Sequence, residues 1–241
     1  MKNFTKNIIT LLAFLFTLSF TVNAQNSSPL FFSEYAEGSG SNKYLEIYNS
    51  GSESVSLADY ALARVSNAPT VVGEYETWSE VFPADAVIAP GGIYIVADGS
   101  ADAAITSLAD VTFGSLSNGD DGFALVMGTQ DNHVYVDWVG DFNGDPGSGW
   151  TVCDDGSTAN RTLVRKCEVT SGAEWSVSSA SATCQWDIYP SNTWDSLGFH
   201  CAALVPGCTD DAATNYNANA SSDDGSCIYY TIHNVNAGSY Y

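Results

Sequence analysis

The chain has 241 residues, with 28 Asp and Glu against seven Lys and Arg, and a net charge of −21. So acidic a protein is a poor match for a nucleic-acid backbone, which is gripped by clustered cations. It is also 45% hydrophobic and 12% aromatic, enough apolar matter to bury a core, which excludes an acidic disordered chain.

Residues 1–24 read as a signal peptide. Lys2 and Lys6 form a basic start, Ile8 to Phe20 an apolar middle, and Val22-Asn23-Ala24 a small-x-small cleavage site before Gln25. The apolar run is shorter than the ~20 residues a spanning helix needs, and no later segment reads as transmembrane. Cleavage removes two of the seven basic residues and none of the 28 acidic ones, leaving a mature charge of −23. That charge favours divalent cations or basic partners.

Beyond the leader, short apolar or alternating runs recur. They are Leu30–Ala36, Lys43–Tyr48, Tyr60–Val65, Ile93–Ala97, Gly122–Met127, Val134–Val139 and Thr162–Cys167. Turn-forming clusters separate them: Glu37–Asn42, Asn49–Gly51, Ala89–Gly92, Ser117–Gly122 and Gly140–Gly149. Short strands split by turn chemistry, with no sustained helical period, predict an all-β sandwich. Ser100–Leu108 is the one stretch expected to hold a short helix. The span from residue 25 to about 204 is long for a seven-stranded sandwich of ~100 residues. The surplus is assigned to loops at Asn67–Ala86 and Asp141–Asn160.

Within Lys43–Tyr48, alternation sets Leu45 and Ile47 on one face and Tyr44, Glu46 and Tyr48 on the other. Leu45 and Ile47 are expected in the core. Glu46, if covered, needs a partner, for which Lys43 or Arg165 is available; no second acid is evident beside it.

All six cysteines follow the leader: Cys153, Cys167, Cys184, Cys201, Cys208 and Cys227. An even number after a signal peptide reads as disulfides. Fifteen pairings exist, and proximity along the chain favours 153–167, 184–201 and 208–227. No zinc-type spacing is present.

These runs, taken in order, resemble the lamin-tail domain of secreted bacterial proteins, an immunoglobulin-like β-sandwich. Phe32-Ser-Glu-Tyr with Glu37-Gly-Ser resembles its opening strand and turn, and Asn42-Lys-Tyr-Leu-Glu-Ile-Tyr-Asn49 its most recognisable motif. Val55-Ser-Leu57, Asp59-Tyr-Ala-Leu62 and Ile93–Ala97 resemble the middle strands. Asp137–Trp150, Thr162–Lys166, Trp175 and Trp194–His200 resemble the later ones. The resemblance implies an accessory or interaction module, and it carries no catalytic residue over.

Gly207–Cys227 forms a second unit, in a predicted division of 205–230, and is similar to a short repeat of secreted proteins of marine and gliding bacteria. Its Asp210, Asp211, Asn215, Asn217, Asp223 and Asp224 offer the hard oxygens that Ca²⁺ prefers, although turn-making explains the same residues. Asp141-Phe-Asn-Gly-Asp145 starts like a calcium loop, but its Gly comes early and Pro146 follows, so a Gly-rich connection is the better reading. His133, His200 and His233 show no nucleophile–base pattern. The last stretch, 231–241, resembles the opening strand of plastocyanin-like domains, without copper ligands, and reads equally as a polar tail.

The expected function is therefore a secreted, non-enzymatic binding, adhesion or accessory module with no cofactor other than Ca²⁺. Its partner would be a protein or a glycan at the cell surface, contacted through loop aromatics such as Trp78, Trp150, Trp186 and Trp194. The competing expectation is the accessory front of a larger secreted enzyme or copper protein. A hydrolase would need a convergent acid pair in a cleft.

Overall fold

The computed structural model describes residues 28–116, 118–154, 156–201, 206–217, 222–223 and 225–229. The expected leader, His233 and the stretch 231–241 lie outside them. In chain order, the first half runs β1 (Leu30–Glu37), β2 (Lys43–Asn49), β3 (Val55–Ser56), β4 (Tyr60–Val65), β5 (Thr77–Ser79), β6 (Val87–Ile88), β7 (Ile93–Ala97), α1 (Ala103–Thr106) and β8 (Val111–Thr112). Then follow β9 (Gly122–Thr129), β10 (Asn132–Val139), β11 (Thr151–Val152), β12 (Gly156–Ser157), β13 (Arg161–Arg165), α2 (Trp175–Ser178), β14 (Trp186–Pro190), β15 (Pro206–Gly207) and β16 (Ser222–Asp223). All seven predicted strands are present. The predicted helix shrinks to the four residues of α1, capped by the Asp102 carboxylate accepting from the Ala104 N–H. The loop expected at 67–86 carries β5, which pairs with β4, and the one at 141–160 carries the β11–β12 ribbon.

Two sheets face each other. One has six strands in the order β14-β13-β1-β2-β7-β8, and the other has four in the order β10-β9-β4-β5. This is an immunoglobulin-like sandwich. Its core is filled by inward residues of both sheets, among them Leu30, Phe32, Tyr35, Leu45, Ile47, Leu62, Val96, Phe123, Leu125 and Leu163. Leu45 and Ile47 are core as alternation predicts.

A β-bulge in β1 decides which side chains face that core. The β1–β2 register runs Phe32↔Ile47 and then Glu34↔Glu46, passing over Ser33. Without the extra residue, strict alternation would carry Glu34 inward with Leu30 and Phe32. With it, Phe32 and Tyr35 both reach the core and Glu34 turns to the opposite face. A second register shift in β10, between Tyr135 and Asp137, lets Val136 and Val139 join the core while Tyr135 and Trp138 pack on the outside of the four-stranded sheet.

Both outer faces are also covered. On the six-stranded sheet, Ala36, Tyr44, Ile95 and Ala97 pack under Ile105 of α1 and under Trp194 and Leu197. The segment carrying those two residues, 192–201, is a strap. Asn192 Oδ1 accepts from the Ser39 N–H at 2.9 Å at one end, and the Cys167–Cys201 disulfide holds the other.

The disulfides join Cys153 to Cys184, Cys167 to Cys201 and Cys208 to Cys227, with Cα separations of 5.3, 5.5 and 4.7 Å. Only the last agrees with pairing by proximity; 153–167 and 184–201 are overturned. The cause is tertiary. The Cys153 N–H donates to the Ser179 carbonyl at 2.6 Å, which lays the end of β11 against the segment after α2 and so beside Cys184. Cys167 is left to meet the returning strap. Each of these two crossing links closes more than 30 residues, worth roughly 4 kcal/mol in the chain-entropy model.

Candidate functional site

Two buried polar groups could have carried chemistry. Glu34 and Glu46 stand opposite each other on adjacent strands, both with no exposed surface. Glu34 accepts from the Tyr44 hydroxyl and, at 2.7 Å, from the Ser196 hydroxyl. Glu46 accepts from the Ser33 hydroxyl at 2.7 Å and the Gly198 N–H at 2.6 Å. Every carboxylate oxygen thus has a donor, two of the four supplied by the strap. Burial pushes the Glu34 carboxyl up to about 7 and raises Glu46 and the Tyr44 phenol. The pairing was not visible in the linear sequence, which offered Lys43 and Arg165 as partners for Glu46. Lys43 instead pairs with Glu37 at 2.8 Å. Both carboxylates are fully buried and each accepts one bond from the strap, so the pair holds the strap against the sheet.

Arg165 is committed elsewhere. Its guanidinium is fully buried, donates to Asp137 and to the Phe32 carbonyl, and lies 3.9 Å above the Trp186 ring. Asp137 also accepts from the Phe32 N–H at 2.8 Å and the Ala173 N–H at 2.8 Å. Burial opposes both charges, raising the carboxyl and lowering the guanidinium, and each partner offsets that cost for the other. Because β10 and β13 belong to different sheets, this ion pair ties the sandwich together.

The outer face of the four-stranded sheet is different in kind. Its floor is Ala61, Ala63, Val65, Ala124 and Val126. Side chains this small let large rings lie close to the strands. Six aromatic or imidazole rings do so in an unbroken series. Tyr75 and Trp78 are 5.7 Å apart, Trp78 and His133 5.0 Å, and His133 and Tyr135 5.1 Å. Tyr135 and Trp138 follow at 4.5 Å, and Trp138 and Phe142 at 4.5 Å. Phe142 is buried, while Tyr75, Trp78, His133, Tyr135 and Trp138 are only partly so. The series therefore presents π-faces and edges to solvent while anchored on a rigid sheet.

At the Phe142 end it opens into a groove of about 210 Å³, walled by Tyr135, Trp138, Phe142 and Trp175 and rimmed by Asp141, Asn143 and Glu174. Asp141 Oδ1 accepts from the Asn143 N–H at 2.7 Å, shaping the turn at that rim. A larger, more open hollow of about 530 Å³ lies between 166–171 and 181–185, with a mixed, mostly polar lining that includes Lys166, Glu168, Thr170 and Gln185 and contains no aromatic ring.

Of the tryptophans expected in contact loops, Trp78 belongs to this surface. Trp186 does not; it is 2% exposed, core-packed under Arg165, which corrects its assignment to a loop. Trp150 is half-buried, its Nε1–H bonded to the Asp121 carbonyl, and Trp194, carried by the strap, packs on the outer face of the six-stranded sheet. His133 is in the aromatic series. His200 is buried against Phe31 and Tyr48, and burial, helped by Arg165, lowers its imidazole to about 4. Sequence reading missed Tyr75, Tyr135 and Trp138 as surface groups, because their common face depends on the β10 bulge.

In the C-terminal loop, Asp210 accepts from the Ala212 N–H and the Tyr229 hydroxyl, and the Asn215 side chain bridges Ser226 and Ile228. Those bonds build turns. Asp211 is exposed, and the side chains of Asp223 and Asp224 lie outside the described residues. Among the described residues, no group of three or more His, Cys, Asp and Glu is arranged to hold a metal ion, and no helix is long and apolar enough to cross a membrane.

No curated protein matches the chain. Strands β13 and β14, which complete the six-stranded sheet, lie beyond residue 142. Residues 23–142, which include β1 to β10, match the family model of the Lamin Tail Domain, an immunoglobulin-like module without catalytic machinery of its own.

Proposed function

We propose that this protein is a secreted, non-catalytic binding module that attaches to a protein or glycan partner outside the cell through the outer aromatic face of its four-stranded sheet. The observation that carries the reading is the ring series from Tyr75 to Trp138, held partly exposed on a floor of alanine and valine and ending on the buried Phe142. Rings anchored on strands bring large contact area at little entropic cost, which is what recognition surfaces favour. The Lamin Tail Domain match supports a module, and the leader and three disulfides support an extracellular setting. Glu34 and Glu46, the acid pair that faces across β1 and β2, are buried and fully hydrogen-bonded, which speaks against their use as hydrolytic groups.

The test is an array of glycans and extracellular proteins probed with the mature chain, with and without Ca²⁺, beside Trp78→Ala and a control at Trp194. Binding weakened at least tenfold by Trp78→Ala and unchanged at Trp194 is expected. Binding indifferent to Trp78, or salt-sensitive binding to DNA, would overturn the assignment.

A further inference from the structure

We infer that the groove at the Phe142 end of the aromatic face takes a single cationic side chain, a lysine or arginine, from a basic segment of a partner protein. The inference rests on the binding-module reading and adds the chemistry of the ligand. Three features of the groove point the same way.

Its size is the first. At about 210 Å³ it falls below the ~300–1,000 Å³ of pockets that swallow a drug-sized ligand. One long side chain fits; a disaccharide does not. Its walls are the second. Tyr135, Trp138, Phe142 and Trp175 give an apolar lining for an aliphatic stem and π-systems that attract a cation.

Charge is the third. The rim carries the Asp141 and Glu174 carboxylates, and no Lys or Arg lines the groove. Glu174 is exposed, at the start of α2, and makes no side-chain cap bond to that helix. Among the described residues it makes no ion pair, which places it to take one. The mature charge of −23 extends the same field over the whole molecule and would draw a basic partner in. A neutral sugar would use the rings but would leave the carboxylates without a counterion. An anionic ligand would be repelled.

The experiment uses the full mature chain, ¹⁵N-labelled, titrated with a short acetylated and amidated peptide containing one lysine in a glycine context. Parallel titrations use the same peptide with norleucine or acetyl-lysine in place of lysine, and a neutral N-acetylglucosamine oligosaccharide. The indole N–H signals of Trp138 and Trp175 report on the groove, and those of Trp150 and Trp194 serve as controls. Expected are shifts confined to the first pair with the lysine peptide. The norleucine and acetyl-lysine peptides should bind at least tenfold more weakly, and Glu174→Gln should weaken the lysine peptide about three- to tenfold. Norleucine binding as well as lysine, no effect of Glu174→Gln, or the oligosaccharide binding the groove more tightly than the peptide would each overturn the inference. Array binding that depends on Trp78 but ignores Glu174→Gln would overturn this inference alone and leave the module reading standing.

Discussion

Replacing Glu34 by Gln gives the most direct measure of what the covered carboxylate pair does. Glu34 has no exposed surface, and burial, reinforced by repulsion from Glu46 and Asp195, raises its carboxyl from 4.5 to about 7. A carboxyl whose folded value is raised binds its proton more tightly in the folded state. Its contribution to stability is therefore full below about pH 4.5 and is lost as pH rises towards 7. At 1.36 kcal/mol per unit this comes to about 3 kcal/mol, and residual solvation brings it to about 2–3. Gln keeps the shape and cannot ionise. Glu34→Gln should then match the parent near pH 4.5 and exceed it at pH 7.5 by about 2–3 kcal/mol, or roughly 5–10 °C in Tm. His200 runs the other way. Its imidazole is lowered to about 4 by burial, so its contribution is lost as pH falls from 6.5 towards 4. In the parent the two trends oppose each other over the window they share. In Glu34→Gln the Glu34 trend is removed while those of Glu46 and Asp137, both also raised by burial, remain, so the gap between variant and parent should widen as pH rises. Urea unfolding followed by tryptophan fluorescence from pH 4.5 to 8 reads both curves. Parent and variant curves that run parallel would refute the reasoning.

Arg165→Met should cost about 3–5 kcal/mol, because it strands Asp137 as a buried charge; Arg165→Met with Asp137→Leu should recover much of the loss, both read by urea unfolding. Breaking the strap link with Cys167→Ser and Cys201→Ser should lower stability by about 4 kcal/mol. In the same double variant, amide hydrogen exchange at Gly198 should accelerate far more than at Ile47, since Gly198 lies in the released strap and Ile47 in the sheet. Gly172→Ala should destabilise by about 1–3 kcal/mol by thermal unfolding, since a Cβ there would meet the Val136 carbonyl oxygen at 2.1 Å and backbone cannot step aside easily.

Much of the sandwich was legible in the sequence because strand formation is local. Alternating or β-branched runs bounded by Gly, Asn and Asp located all seven principal strands, and alternation in Lys43–Tyr48 put Leu45 and Ile47 in the core. β14 was missed. Its Trp186-Asp-Ile-Tyr-Pro190 has little period of its own and is a strand because β13 offers it an edge. The partner of Glu46 was misjudged for a similar reason. Lys43 and Arg165 were chosen for charge, yet the side chain opposite Glu46 is another carboxylate, and only strand register reveals it.

Composition, short-range pattern and cysteine number indicated by themselves an acidic protein, rich in strands, with its cysteines set for disulfides. Those are properties of residue chemistry and short-range pattern, and they survive without knowing who meets whom. The tertiary structure alone decided the rest. A single bulged residue at Ser33 sends Glu34 away from the core, a second shift in β10 aligns Tyr135 and Trp138 on one outer face, and the strap draws Cys201 to Cys167. Each outcome turns on register or on contacts between distant segments. A period-two chain reverses every side chain for a one-residue slip, so no local reading can supply them.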